Sequence, residues 1–178
     1  HGRRRRSGLM IDPHADAVAA LARLAEVYAA ARVGLPSRRF VAAGLPVWDE
    51  ECAAVWFESV QPWSGGLPGV QADQMTPGVM GAGGASGVLV VEVVRCSPQT
   101  ARDDGTPPSA SAETAAAGLV HRDCQLAWDA VMGATADGGR LFGTHGAVWL
   151  GWRTVGPMGG LVGSRSRFAV ALGAGLRV

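Results

Sequence analysis

Apolar positions in this chain fall into two helical stripes and several strand-like runs, separated by turn-forming residues. Asp12-Pro13 supplies a cap and a first helical residue. Val18, Leu21, Leu24, Ala25, Tyr28 and Ala31 then recur at helical spacing, and Gly34 with Pro36 is expected to end that helix. Arg39-Phe40-Val41 is a short strand candidate, followed by a turn at Gly44-Leu45-Pro46. Cys52 to Val60 alternates with apolar residues on both sides, so it reads as a strand covered on both faces. Gly87 to Cys96 is a dense β-branched run whose two charges, Glu92 and Arg95, fall on opposite faces.

Ser97 to Ala110 is polar and carries turn chemistry at Asp103-Asp104-Gly105 and Pro107-Pro108. Ser109 or Ser111 opens a second helix, with Glu113 in its first turn. Its stripe is Ala116, Leu119, Val120, Leu126, Ala127, Ala130 and Val131, and it ends between Gly133 and Gly139. Ala147 to Val155 and Leu161 to Leu172 close the chain as a hairpin, with Gly156-Pro157-Met158-Gly159-Gly160 as the loop. The order α-β-β-α-β-β predicts an α+β fold, with a mixed or antiparallel sheet of about four strands and two helices on one face. Residues 1–12 read as a basic N-terminal arm and 13–178 as one α+β domain.

Between the two best strands, residues 61–87 show neither helical nor strand period and are rich in glycine and proline. So long an insert is uncommon in a compact domain unless it binds something. Trp63, Leu67, Val70, Met75, Val79 and Met80 make it too apolar for a solvated linker. The expectation is an inter-strand arm that orders against another subunit, which points to an assembly protein.

At 178 residues the chain is long enough to bury roughly 70% of its unfolded surface. Only 17% of residues are charged, against the usual quarter or so, which suggests that part of the surface is covered by something else. The net charge of +1 makes no global electrostatic case for nucleic acid or anionic membrane. All 16 basic residues are arginine. GC-rich coding accounts for that, and so does the suitability of arginine for desolvated carboxylate pairs at subunit contacts. Three widely spaced cysteines do not make a secreted disulfide framework. Neither a signal-peptide pattern nor a run of membrane-spanning length is visible, so a soluble protein of a reducing compartment is expected.

No catalytic constellation emerges. The Gly81 to Gly87 cluster precedes a strand instead of opening a helix, so it does not suit a phosphate loop. His121 and Cys124 share a helical spacing but have no second ligand pair. Ser86 and Ser164 lie outside any nucleophile elbow, and Asp49-Glu50-Glu51 and Asp103-Asp104 read as solvated corners. No catalytic, cofactor-binding or metal-binding residue is assigned, and no cofactor is expected. Arg3, Arg4, Arg5 and Arg6 are candidate DNA-facing or interface residues. Arg165 and Arg167, which share a strand face near Arg153, are candidates of the same kind. Trp56, Trp128, Trp149 and Trp152 fall inside regular elements and are assigned to the core. Trp48 and Trp63, in loops, join Leu67, Met75 and Met80 as candidate subunit or partner contacts.

Four segments in this order resemble the tail-terminator family of long-tailed bacteriophages of GC-rich actinobacterial hosts. They are the helix leading into Leu35-Pro36-Ser37-Arg38-Arg39-Phe40-Val41-Ala42-Ala43-Gly44, the strand ending Val93-Val94-Arg95-Cys96-Ser97-Pro98, the acidic-proline turn before the second helix, and the hairpin Val155 to Leu161 running into Arg167-Phe168-Ala169-Val170. The resemblance covers nearly the whole chain beyond the first dozen residues. It implies a non-enzymatic virion subunit, made in the host bacterial cytoplasm, that forms a homo-oligomeric, expectedly hexameric, ring at the tail–neck junction. Such a ring ends tail-tube polymerisation, meets the tail tube protein and the head-completion (stopper) protein, and passes DNA through its lumen. Other readings that fit the residues are another neck-ring subunit, such as a head-completion or adaptor protein, a DNA-binding accessory module, and, from a different class, a small α+β enzyme.

Overall fold

Asp12 starts helix α1 (Pro13–Ala30) by accepting hydrogen bonds from the amides of His14 and Ala15, with Pro13 placed where its missing N–H costs nothing. The computed structural model describes residues 12–62, 67–69, 85–97, 106–136, 138–142, 146–158 and 160–172. The face that α1 buries is Ala17, Ala20, Leu24 and Tyr28. This is rotated from the expected stripe, and Val18 is 47% exposed. Alanines at the contact let the helix lie close on the sheet. Arg32, with φ 55°, turns the chain out of the helix before Gly34 is reached.

Among the described residues there are five strands, where about four were expected. The additional one is the short candidate, β1 (Arg38–Val41), which pairs in parallel with β2 (Cys52–Pro62). The antiparallel run then continues through β3 (Ala85–Cys96), β5 (Leu161–Leu172) and β4 (Ala147–Met158), giving the sheet order β1-β2-β3-β5-β4. β2 and β3 reach into the expected arm from both ends, since Pro62 pairs with Ala85. The arm is therefore the connection of a long hairpin, and 63–66 and 70–84 lie outside the described residues. Strand β4 is an outer strand with two register irregularities, between Trp149 and Gly151 and between Val155 and Met158. Ser109 caps helix α2 (Ala110–Met132) by accepting from the amide of Ala112.

Both helices lie on one face of the mixed sheet, which confirms the α+β class. Leu24 and Tyr28 of α1 and Leu126, Ala127 and Val131 of α2 pack against Val55, Leu89, Val91, Val93, Phe168 and Val170. Beside β3 in the sheet, Gly163 of β5 has no room for a side chain, since a methyl added there would lie 2.2 Å from the Val93 carbonyl oxygen. Among the described residues no helix is long and apolar enough to cross a membrane.

A polar knot fastens these layers. The carboxylate of Asp123, fully buried on α2, accepts from the Tyr28 hydroxyl at 2.6 Å and from Nε and Nη2 of Arg95 at 2.6 and 2.8 Å. Arg95 also donates to the Gly34 carbonyl, so α1, its exit, α2 and β3 meet at one carboxylate. Burial first, and the neighbouring Asp123 charge second, push the Tyr28 phenol above its ordinary value of 10.0.

Two predictions follow from the knot. Asp123→Ala strands Arg95 and is expected to cost about 3–5 kcal/mol in urea unfolding. Folding raises the phenol's pKa, so its contribution to stability is complete below about pH 10 and is lost as pH rises further. Tyr28 is the chain's one tyrosine, so tyrosinate absorbance is expected to appear together with alkaline unfolding and not ahead of it.

Candidate functional site

The sheet face away from the helices carries the less ordinary chemistry. Strand alternation puts Glu92 of β3 on this face, directly opposite Arg165 of β5, which in turn sits opposite Arg153 of β4. Glu92 is fully buried beneath the 42–51 connection, which joins parallel β1 to β2 across this side of the sheet. Its two oxygens are both used, one by the indole Nε1 of Trp48 at 2.5 Å and the other by Nε of Arg165. Arg165, 12% exposed, also lies over the ring of buried Trp56 with its guanidinium carbon 5.5 Å from the centroid. Two residues along β5, Arg167 pairs with Glu58 at 2.6 Å.

Arg165, Arg167 and Glu58 wall a groove of about 480 Å³ floored by Trp56 and Val90, with Ala43, Gly44 and Leu45 along one side and Arg153 on the other. A hollow of about 370 Å³ adjoins it at Arg167 and runs past Leu150 to Pro68 and Gly69. Arg153 is exposed and has no hydrogen bond or ion pair among the described residues. The arrangement can hold an oxyanion between planar guanidinium groups. The side chains lining these hollows include no histidine, cysteine or amine, and the hydroxyl of Ser59 lies in the outer hollow.

The structure brings Arg165 and Arg167 together at this groove and adds Arg153, Glu58 and Glu92. Glu92 was legible only as a charge on one strand face, because its partners lie 44 and 73 residues away. Trp48, expected as a partner contact, closes over Glu92 from within the chain. Leu67, expected likewise, is buried against Ala169 and Ala171 of its own sheet. Trp63, Met75, Met80 and Arg3 to Arg6 lie outside the described residues.

Three of the four tryptophans assigned to the core are at the surface instead. Trp56 is 3% exposed, but Trp128, Trp149 and Trp152 are 37%, 41% and 36% exposed. Val120, Leu126, Ala127, Ala130 and Val131 of the α2 stripe are buried, and a register shift between Trp149 and Gly151 brings Trp149 and Trp152 onto the same face of β4. However, β4 ends the sheet and α2 covers its helix side incompletely, so large residues remain outside. Leu119, also assigned to the stripe, is 47% exposed for the same reason. His121 is exposed and stands edge-on to Trp152 with ring centroids 5.3 Å apart. Cys124 is buried at 3.9 Å from the Ser166 hydroxyl, its thiol pushed up by burial. Cys96, at the end of β3, is exposed. Among the described residues no group of three or more His, Cys, Asp or Glu side chains could hold a metal ion.

Comparison with models of known protein families finds no match, and no curated protein matches the sequence.

Glu92→Ala leaves Arg165 partly buried without its anion and is expected to cost about 3–5 kcal/mol, read by urea unfolding. Replacing both residues, Glu92→Ala with Arg165→Leu, is expected to recover most of that loss, because the uncompensated charge is what destabilises.

Proposed function

We propose that this chain is a non-enzymatic structural subunit that closes into a ring, and specifically the tail terminator of a long-tailed bacteriophage. In this reading it sits at the tail–neck junction of the virion after synthesis in the host cytoplasm. It ends growth of the tail tube and joins the tube protein to the head-completion protein, with DNA passing through the lumen. The ring is expected to be hexameric.

The observation that carries the assembly reading is the outer edge of the sheet. Trp149 and Trp152 of β4 stand opposite Phe168 and Ser166, hence on the helix side, and each is more than a third exposed. His121 of α2 touches Trp152, and Trp128 lies two turns further along the same helix. Exposed aromatic residues grouped beside a sheet edge with no described neighbour are the chemistry of a protein contact. A closed ring needs two different patches on each subunit, and the opposite end of the sheet, at β1, presents exposed Leu45 and Val47 on the adjoining loop. The tail-terminator assignment rests in addition on the order of the four resembling segments. Another neck-ring subunit would use the same surfaces, and the partner that the ring binds separates the two.

Light scattering and negative-stain microscopy of the purified protein, alone and with tail tubes, test the reading. Rings or capped tubes are expected, and Trp149→Glu with Trp152→Glu is expected to weaken assembly at least about tenfold while leaving the circular dichroism spectrum unchanged. A wild-type protein that stays monomeric and leaves tubes uncapped sinks it. Rings that bind the head-completion side alone, and never tubes, move the assignment to another neck-ring subunit.

A further inference from the structure

The arginine-walled groove carries one positive charge beyond what its acids neutralise. Arg167 is matched by Glu58, and Arg165 by buried Glu92 through Nε. The Nη groups of Arg165 make no hydrogen bond among the described residues, and Arg153, directly opposite on β4, has no partner there. Two guanidiniums opposed in this way repel each other, and an anion seated between them converts that repulsion into attraction. Arg165 is already fixed by Glu92 and by the ring of Trp56, so it loses little freedom when it binds.

The lining restricts what that anion can be. Apart from the arginines and Glu58 the groove is lined by Leu45, Trp56, Phe57, Val90 and two small residues, and no hydroxyl or amide side chain joins them. A sugar or a nucleotide would therefore leave most of its polar groups without a side-chain partner. A phosphate monoester brings nearly two charges at neutral pH and a nucleic acid many more. One net charge gives little purchase on either, and half-exposed Glu58 repels the surplus. A volume of about 480 Å³ suits a small molecule, and the adjoining hollow beyond Arg167 offers Val88, Leu150 and Pro68 to an apolar tail. We propose that the groove binds a small apolar monocarboxylate, with its planar anion between Arg153 and Arg165 and its hydrocarbon part running past Arg167 toward Leu150. This binding function is separate from ring formation and does not rest on it.

Saturation-transfer NMR of the full chain with hexanoate tests the site. Hexanoate is expected to bind saturably, and at least about tenfold more tightly than acetate, because the tail adds apolar burial. The alcohol 1-hexanol, which lacks the anion, is expected to bind at least about tenfold more weakly than hexanoate. Arg153→Gln is expected to weaken hexanoate about tenfold while circular dichroism stays unchanged. Leu150→Ala is expected to weaken hexanoate and leave acetate as it was, which separates the tail contact from the anion contact. Competition then sets the ligand class: inorganic phosphate, adipate, a single-stranded oligonucleotide and a blocked pentapeptide with one central glutamate between leucines are each expected to displace hexanoate less well than octanoate does. Absence of saturable hexanoate binding, or binding indifferent to Arg153→Gln, overturns the proposal. Acetate equal to hexanoate reduces the groove to an adventitious ion site and overturns it too. Stronger competition by phosphate, the oligonucleotide or the peptide overturns the small-carboxylate assignment. Assembly is read separately by light scattering, so none of these failures touches the ring reading.

Discussion

Strand β3 is buried on both faces yet carries one charge toward each, and the architecture is organised around neutralising them. On the helix side Arg95 meets Asp123, and in doing so draws in Tyr28 and the exit of α1. On the other side Glu92 meets Arg165 and Trp48, which pins the 42–51 connection across the sheet. Burying such charges costs several kcal/mol each unless geometry and extra hydrogen bonds offset it, and both sites supply those bonds. Apolar packing alone would allow the helices and the connection several arrangements. The two charges select one.

This dependence explains what was legible in the sequence. The helices, the three long central strands and the closing hairpin follow from local periodicity, turn residues and caps, all of which act over a few positions. The opposite placement of Glu92 and Arg95 was legible too, because alternation requires it. Their partners were not, since Asp123 and Arg165 are brought in by tertiary packing over 28 and 73 residues. The same limit governs the tryptophans. Periodicity tells which face of an element is apolar, whereas exposure depends on where the element lies in the sheet. Trp48 therefore turned inward to a buried acid, while Trp149 and Trp152, on an outermost strand, stayed in contact with solvent. In α1 the pattern gave the helix but not its phase, because alanine is as much at home on a buried face as on an open one.

The groove shows how a site arises without any motif. Arg153, Arg165 and Arg167 come from a hairpin, Glu58 from an irregular point in β2 between Phe57 and Ser59, and the rim from the connection leaving β1. Cross-strand register sets Arg153 opposite Arg165, a like-charged pair that is unfavourable in isolation. Such a pairing is tolerated where one member leans on a buried acid and the other reaches solvent, which is the arrangement found.

The two irregularities in β4 have a consequence for growth in the plane of the sheet. Pairing with β5 is regular over two short stretches, Ala147 to Trp149 and Gly151 to Val155, each followed by a register shift that interrupts the ladder. A stray extended chain could therefore add along only a short stretch before its backbone fell out of step. An edge built this way resists runaway fibre formation, and leaves recognition there to the shape of large side chains more than to main-chain ladders.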